Sequence, residues 1–340
     1  MNVRANEDGR HNSLYFLHRA LLPLQPFLDD PQVIEIAINQ PGLVFTERLG
    51  VDGMERHHIP ELSGEEIRNI GERIAALTQQ FVSAAKPLLS ASLPGGERVQ
   101  CILPPAAPDG GAVSIRKQVV SDYSLADLRN AGAFDDFVGG LPQNGRVEDQ
   151  LRQHLEAGRI YEFIDLALAK RISMLISGGT SSGKTTFLNA CFKNMDQSER
   201  IITIEDTREL FPPHENAVHL VASKGDQGTA DVTIQSLLEA SLRMRPDRLF
   251  VGEIRGSEAF SFLRAINTGH PGSVSTVHAD TPLGAYEQLI MMMMQSGMVS
   301  GFSKADLASY IKTVIPIVIQ LKRDGGRRGV SDIFFCGTRQ

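Results

Sequence analysis

Apolar positions recur at helical spacing through residues 13–28 (SLYFLHRALLPLQPFL), behind Ser13, a residue type that caps helix starts. VIEIAI (33–38) and LVFTER (43–48) read as strands, and Asn39-Gln-Pro-Gly42 between them carries turn chemistry. Charged and apolar residues alternate at helical spacing over 64–80. Strand-like runs at 97–103 and 112–119 are joined by the Pro/Gly-rich PPAAPDGG. Residues 1–120 therefore predict a small α+β domain. The pattern then weakens. Residues 121–150 are polar, contain glycine and lack long apolar runs, so 121–159 is expected to be a linker with one or two short helices.

From 160 onward helix and strand signals alternate: YEFIDLALAKR, then ISMLIS; KTTFLNACFKNM, then RIITIED; VTIQSLLEASLRMR, then RLFVGEI; SEAFSFLRAINTG, then SVSTVHA. Helices near 282–297 and 303–313 follow. Strand-like segments 316–322 and 330–336 close the chain around the basic turn KRDGGRR. Such alternation predicts an α/β domain over 160–340, a mostly parallel sheet with helices on both faces.

Composition changes this picture little. A chain of 340 residues has room for about two domains. The net charge of −6 argues against a broad nucleic-acid-binding face. Cys101, Cys191 and Cys336 stand far apart with no CxxC pair. That spacing speaks against a zinc site or a disulfide framework and suits reduced, buried thiols of a cytoplasmic protein. The segment MNVRANEDGRHNS lacks the apolar run of a signal peptide. The longest apolar stretches, LIMMMM and VIPIVIQL, are far shorter than the about 20 residues that span a bilayer, so a soluble chain is expected.

The candidate chemistry is concentrated in the second half. Gly178-Gly179-Thr180-Ser181-Ser182-Gly183-Lys184-Thr185, followed by Thr186, matches GxxxxGK[ST] between a predicted strand and a predicted helix. Glycines let backbone N–H groups turn inward around phosphates, and the helix N-terminus adds positive potential. Lys184 is expected to reach the β- and γ-phosphates, and the Thr185 hydroxyl to ligate Mg²⁺. Ser223-Lys-Gly-Asp226 faintly resembles a guanine-reading motif, but no DxxG lies between it and the phosphate loop, so the reading favours ATP.

Acids stand at two apolar strand ends. Glu253 follows RLFVG, with no aspartate at the usual position, and Glu205-Asp206 ends IITIED. The C-terminal ends of strands are where open α/β sheets bind ligands. Glu205 and Glu253 could therefore converge on one γ-phosphate, either of them acting as general base or holding Mg²⁺ through water. His270 and His278 lie in TGHPGSVSTVHA (268–279). The first occupies a Gly/Pro turn. The second, at a strand end after Glu253, is the candidate γ-phosphate sensor.

Together these residues resemble the secretion (traffic) ATPase superfamily. Four of its boxes occur here in the family's order: the phosphate loop 178–185, the acidic box ITIEDTREL (202–210), the atypical Walker B segment RPDRLFVGEIRG (245–256) and the histidine box TGHPGSVSTVHA (268–279). DDPQVIEIAINQPGLVFTER (29–48) resembles the opening of the branch formed by the inner-membrane ATPase of type IV secretion systems. The tetracysteine zinc insert of the type II branch and the AIRxG motif of pilus-retraction motors are not found.

The resemblance implies a RecA-like ATPase domain after a smaller α+β domain, and a homo-hexameric ring with ATP between the two domains. It also implies inner-membrane secretion-channel proteins as partners, and a secreted protein or DNA–protein substrate. The expected location is cytoplasmic, peripheral to the inner face of the bacterial inner membrane. Arginines of the first domain contact the phosphates in this family, and Arg98 in GERVQ and Arg116 in SIRK match that role. Arg208 in the acidic box is a further candidate. A pilus or type II secretion motor, a P-loop small-molecule kinase and a nucleotide-gated scaffold are the alternatives. Met291–Met294 read as core filling or a subunit contact rather than a copper site, and Lys322–Arg328 as a solvated hairpin turn.

Overall fold

The structure, a computed structural model, describes residues 2–117, 124–130, 132, 134–135, 145–223 and 229–337, with backbone alone at 2–11, 127–128 and 145–146. The first helix, α1, runs Asn2–Leu21, so the expected start at Ser13 lies inside a longer helix. Pro23, which has no N–H to donate, falls in a single tight turn at Leu22–Leu24, and α2 resumes at Gln25–Asp29. The strands β1 (Val33–Gln40) and β2 (Leu43–Arg48) form the expected hairpin, which β3 (Glu55–His58) extends. Ser63 caps α3 (Gly64–Leu77) by accepting from Glu66 N, and Ile67, Ile70 and Ile74 line its buried face. After β4 (Leu88–Ser92) come β5 (Arg98–Ile102) and β6 (Ala112–Arg116), and residues 118–119 of the expected strand 112–119 lie outside the described residues. The six strands make one sheet, ordered β3-β2-β1-β6-β5-β4 and antiparallel throughout. Its apolar face packs on α1 and α3.

Within 121–159 the described elements are α4 (Leu125–Asn130) and α5 (Gly145–Glu156). α5 packs on α6 (Ile160–Ala169) and fully buries Leu151. The alternation that follows is as read: β7 (Met174–Gly178), α7 (Lys184–Cys191), β8 (Ile201–Glu205), β9 (Ala217–Val221), α8 (Ile234–Ser241), β10 (Arg248–Val251), α9 (Glu258–Asn267), β11 (Val274–Val277), α10 (Pro282–Gln295), α11 (Lys304–Val314), β12 (Ile317–Asp324) and β13 (Arg327–Phe335). The sheet order is β13-β12-β7-β11-β10-β8-β9. Every pair is parallel except β12 with β13. Two apolar cores lie on its faces, one under α8–α11 and one under α5–α7.

The strands absent from the sequence reading, β3, β4 and β9, are short. ERHH in β3 carries almost no apolar signal because it is an exposed edge. Of the four methionines, Met293 is fully buried while Met291 and Met294 are largely exposed, as helical geometry requires. Cys101 and Cys191 are buried, and that burial pushes both thiols up to about 12.

The two sheets share a closely paired interface. Ile102, Ala106, Ala107 and Ala112 enter the core under α8–α11, and Val221 N donates to Ala106 O. The buried Arg200 donates to Asn39 and Asn216, and the Arg245 guanidinium holds both carboxylate oxygens of Glu47 at 2.7 Å.

Candidate active site

β7 is buried along its whole length and delivers the loop at its C-terminal end. Ser181 and Gly183 have positive φ, 61° and 96°, the left-handed conformation that turns successive N–H groups into one concavity. At Gly178 space also dictates the residue, since a Cβ would lie 2.7 Å from Leu321 O of β12. Lys184 Nζ donates to Gly178 O at 2.8 Å and Gly179 O at 3.2 Å, and stands 3.4 Å from His278 Nδ1. Burial pushes its pKa below the ordinary lysine value.

Parallel ordering places the ends of β8, β10 and β11 beside this loop. They surround a cavity of about 620 Å³ lined by residues 180–186 of the loop and α7, with Glu205, Glu253 and His278 from the neighbouring strand ends. The two acids line this same cavity, and Gly252, next to Glu253, packs on Glu205, where a Cβ would lie 3.0 Å from Glu205 Cγ. Glu205 is 4% exposed and accepts from Glu209 N and Leu210 N, both at 3.0 Å through Oε1. Its Oε2 has no partner among the described residues. Burial pushes this carboxyl up to about 7 against the two amide donors.

Glu253 lies two residues beyond β10. Its Oε2 accepts from Arg255 Nε at 2.8 Å, and Arg255 also reaches Asp206 at 2.8 Å. His278 Nε2 is 2.6 Å from Glu253 Oε1 but off the hydrogen-bonding direction, so that oxygen has no aligned donor. The Thr185 hydroxyl donates to Glu209 Oε2 at 3.2 Å. A hydroxyl and carboxylate oxygens with unused lone pairs suit a hard divalent cation such as Mg²⁺.

The structure does not bring the remaining candidates here. Arg116 is tied to the buried Glu35 at 2.9 Å, and Arg98 stands directly opposite it in the β5–β6 register. Arg208 pairs with Asp109 at 2.7 Å, outside the cavity. His270 bonds Pro246 O through Nδ1, below the start of β10. Lys224–Asp226 of the guanine-like motif lie outside the described residues. Among the lining residues not foreseen as site residues are the charged Glu209, Arg255 and Arg328. Glu209 and Arg255 stand within the acidic and Walker B boxes. Arg328 comes from the hairpin read as solvated, and nothing local to its sequence marks it.

Residues 142–324 match the family described as Type II/IV secretion system protein. The chain is 37% identical over 332 residues to the Type IV secretion system protein VirB11 of Bartonella quintana, covering 94% of this chain and 93% of that one. It is 33% identical over 320 residues to Protein VirB11 of Agrobacterium fabrum, covering 93% and 92%. Among solved structures it superposes with a TM-score of 0.89 on the VirB11 ATPase from the Brucella suis type IV secretion system, described in complex with sulphate. That match is 32% identical and covers 97% of both chains.

Proposed function

We propose that this chain, which belongs to the Type II/IV secretion system protein family, hydrolyses Mg-ATP to drive conformational work in a bacterial type IV secretion apparatus. The observation that carries the reading is the single cavity in which Lys184, Thr185, Glu205, Glu253 and His278 meet around the phosphate loop. Relatives bearing the name VirB11 and the Brucella suis VirB11 ATPase support it. Two separate sheets support the division into 1–120, a linker 121–159 and 160–340. No helix among the described residues is long and apolar enough to cross a membrane. Action at the cytoplasmic face of the inner membrane, beside secretion-channel proteins and a protein or DNA–protein substrate, belongs to the same proposal.

The loop amides and the α7 N-terminus receive the phosphates. Lys184 leaves the Gly178 and Gly179 carbonyls for the β/γ oxygens. Thr185 would hold Mg²⁺ directly and Glu205 and Glu253 would hold it through water, and the ion would supply positive charge to the transferring group. Glu253 takes the attacking water, because its Oε1 lacks an aligned donor and stands beside His278, which can carry the proton onward. Glu205, fixed by two amides, presents Oε2 as a stationary acceptor.

Arg116 and Arg98 complete the site only from another copy. Glu35, the partner of Arg116, lies on β1; Asn39 of the same strand accepts from Arg200, and Glu47 of the paired β2 holds Arg245, and these two arginines precede β8 and β10. That is the N-terminal end of the parallel strands, and the phosphate loop is at the other. Five residues of strand separate the two ends by roughly 16 Å. A homo-hexameric ring that sets this edge against a neighbour's loop supplies guanidinium groups to each γ-phosphate.

Mixing experiments test both parts. Lys184→Ala alone should lose hydrolysis, and Arg116→Ala alone should be strongly impaired. Mixed protomers should regain turnover, because some sites then pair an intact loop with an intact arginine. Full turnover in Lys184→Ala would place the chemistry elsewhere. No recovery on mixing would remove the role of the neighbouring copy.

A further inference from the structure

One wall of the cavity plays no part in the function proposed above. The β12–β13 hairpin turns at Asp324-Gly-Gly-Arg327 and carries Arg328 into the lining. A Cβ on Gly183 would lie 3.4 Å from Arg328 Cδ, so the stem of this arginine rests on the phosphate loop. Its guanidinium forms no ion pair with a carboxylate among the described residues.

The register of the hairpin makes the position unusual. Arg323 stands directly opposite Arg328, whereas Asp324 stands opposite Arg327. Directly opposed residues of an antiparallel ribbon share a face, and like charges there repel. The ribbon thus sets two guanidinium groups opposite each other on one face, and an acid opposite a base on the other. A polyanion bound beside Arg328 would relieve that repulsion.

Sheet order decides which end of a nucleotide this face meets. β7 lies between β12 on one side and β11 on the other. Glu205, Glu253 and His278 all arrive from the β11, β10 and β8 side and mark the γ-phosphate end. Arg328 arrives from the opposite side, against Gly183, where loop amides cradle the α- and β-phosphates. We propose that Arg328, with Arg323 beside it, grips the α/β-phosphate portion of a bound nucleoside di- or triphosphate, within the same chain as the loop.

The proposal rests on the ATPase reading and adds a determinant of nucleotide retention. A contact made equally with ATP, the transition state and ADP lowers KM without raising kcat.

Equilibrium binding of Mg-ADP and of a non-hydrolysable ATP analogue to the full chain, beside steady-state hydrolysis, tests it. Arg328→Ala should weaken both ligands by the same factor, about tenfold, for the loss of one charge-assisted contact. KM should rise in step while kcat stays within about twofold. Arg328→Lys should recover only part of the affinity, since an ammonium lacks the guanidinium fork. Arg327→Ala, on the opposite face, should bind as the parent chain does.

Unchanged affinity in Arg328→Ala overturns the inference, as does an equal loss in Arg327→Ala, which would report the shape of the ribbon. Loss of kcat with ADP affinity intact also overturns it, by making Arg328 a reader of the γ-phosphate. If the unaltered chain binds neither nucleotide, the ATPase reading has failed. If it binds both, and Lys184→Ala stops hydrolysis while Arg328→Ala is silent, only the inference about the hairpin has failed.

Discussion

The two ends of the parallel sheet treat charge in opposite ways. At the N-terminal strand ends, buried ionic groups are mostly held by carboxylates, amide oxygens or carbonyls, although Arg248 Nη1, Arg200 Nη2 and Glu35 Oε1 have no partner among the described residues. Glu199 receives Arg248 through two nitrogens and Arg171 through a third, and Arg248 also donates to Leu168 O. Arg245 spans Glu47 and Asp247 across the interface between the sheets. At the C-terminal ends, Glu205 Oε2 and Glu253 Oε1 lack aligned donors, and Lys184 is satisfied by carbonyls of its own loop. Burial of ionisable groups costs free energy unless they are paired. Arg245 on Glu47 and Arg200 on Asn39 therefore join the two sheets, the Glu199 cluster holds the strand starts of the second sheet, and the opposite end keeps its free lone pairs for a ligand. Substitutions at the two ends should consequently fail in different ways.

The largest effect is expected in rate. Glu253→Gln keeps the shape of the side chain but loses the negative acceptor for water. Its turnover should fall by about 10²–10⁴, with ATP binding and thermal stability close to those of the parent chain. Near-normal turnover would shift the role to Glu205, and lost stability would erase the contrast between the ends.

At the N-terminal strand ends the same kind of change should cost folding instead. Glu199→Ala strips the fully buried Arg248 of its carboxylate. Urea unfolding should show a loss of about 3–5 kcal/mol, as for other buried pairs broken on one side. Turnover per folded molecule at low temperature should be little altered. A loss below about 1 kcal/mol would show that the pair contributes little to the stability of that end of the sheet.

The smallest effect sharpens the comparison through pH. Glu205 titrates near 7 when folded and near its ordinary value of 4.5 when unfolded. Between these values the folded chain holds a proton that the unfolded chain has released. The stability linked to this group is complete below about 4.5 and is lost as pH rises through about 7. Glu205→Gln does not titrate. It should therefore be more stable than the parent at pH 8, on the order of 2 kcal/mol, and equal to it near pH 4. A gain independent of pH would assign the effect to packing rather than to the buried charge.

Much of this site was legible in the chain itself. GxxxxGK[ST] dictates a loop conformation within eight successive residues, so its geometry is local. An acid just past an apolar run lands at a strand end wherever that strand lies in the sheet, which is why Glu205, Glu253 and His278 could be named in advance. The alternation of periods similarly announced parallel order and two covered faces. The longer α1, edge strands such as β3, and the packing of α5 on α6 were not legible, because short or polar segments take their structure from neighbours rather than from periodicity.

The sequence by itself determined the phosphate loop, the acids that face it and the class of sheet that presents them, because each depends on residues close together in the chain. Only the tertiary structure decided which distant strands become neighbours. Strand order set β12 beside β7 and brought Arg328 onto Gly183. It put β10 between β8 and β11, so that Arg255 could bridge Glu253 and Asp206. The docking of the first sheet sent Arg116 to Glu35 at the far end of the strands from the loop. Hydrogen-bond pairing between strands takes no account of their separation along the chain, so no local pattern of residues could have announced these meetings.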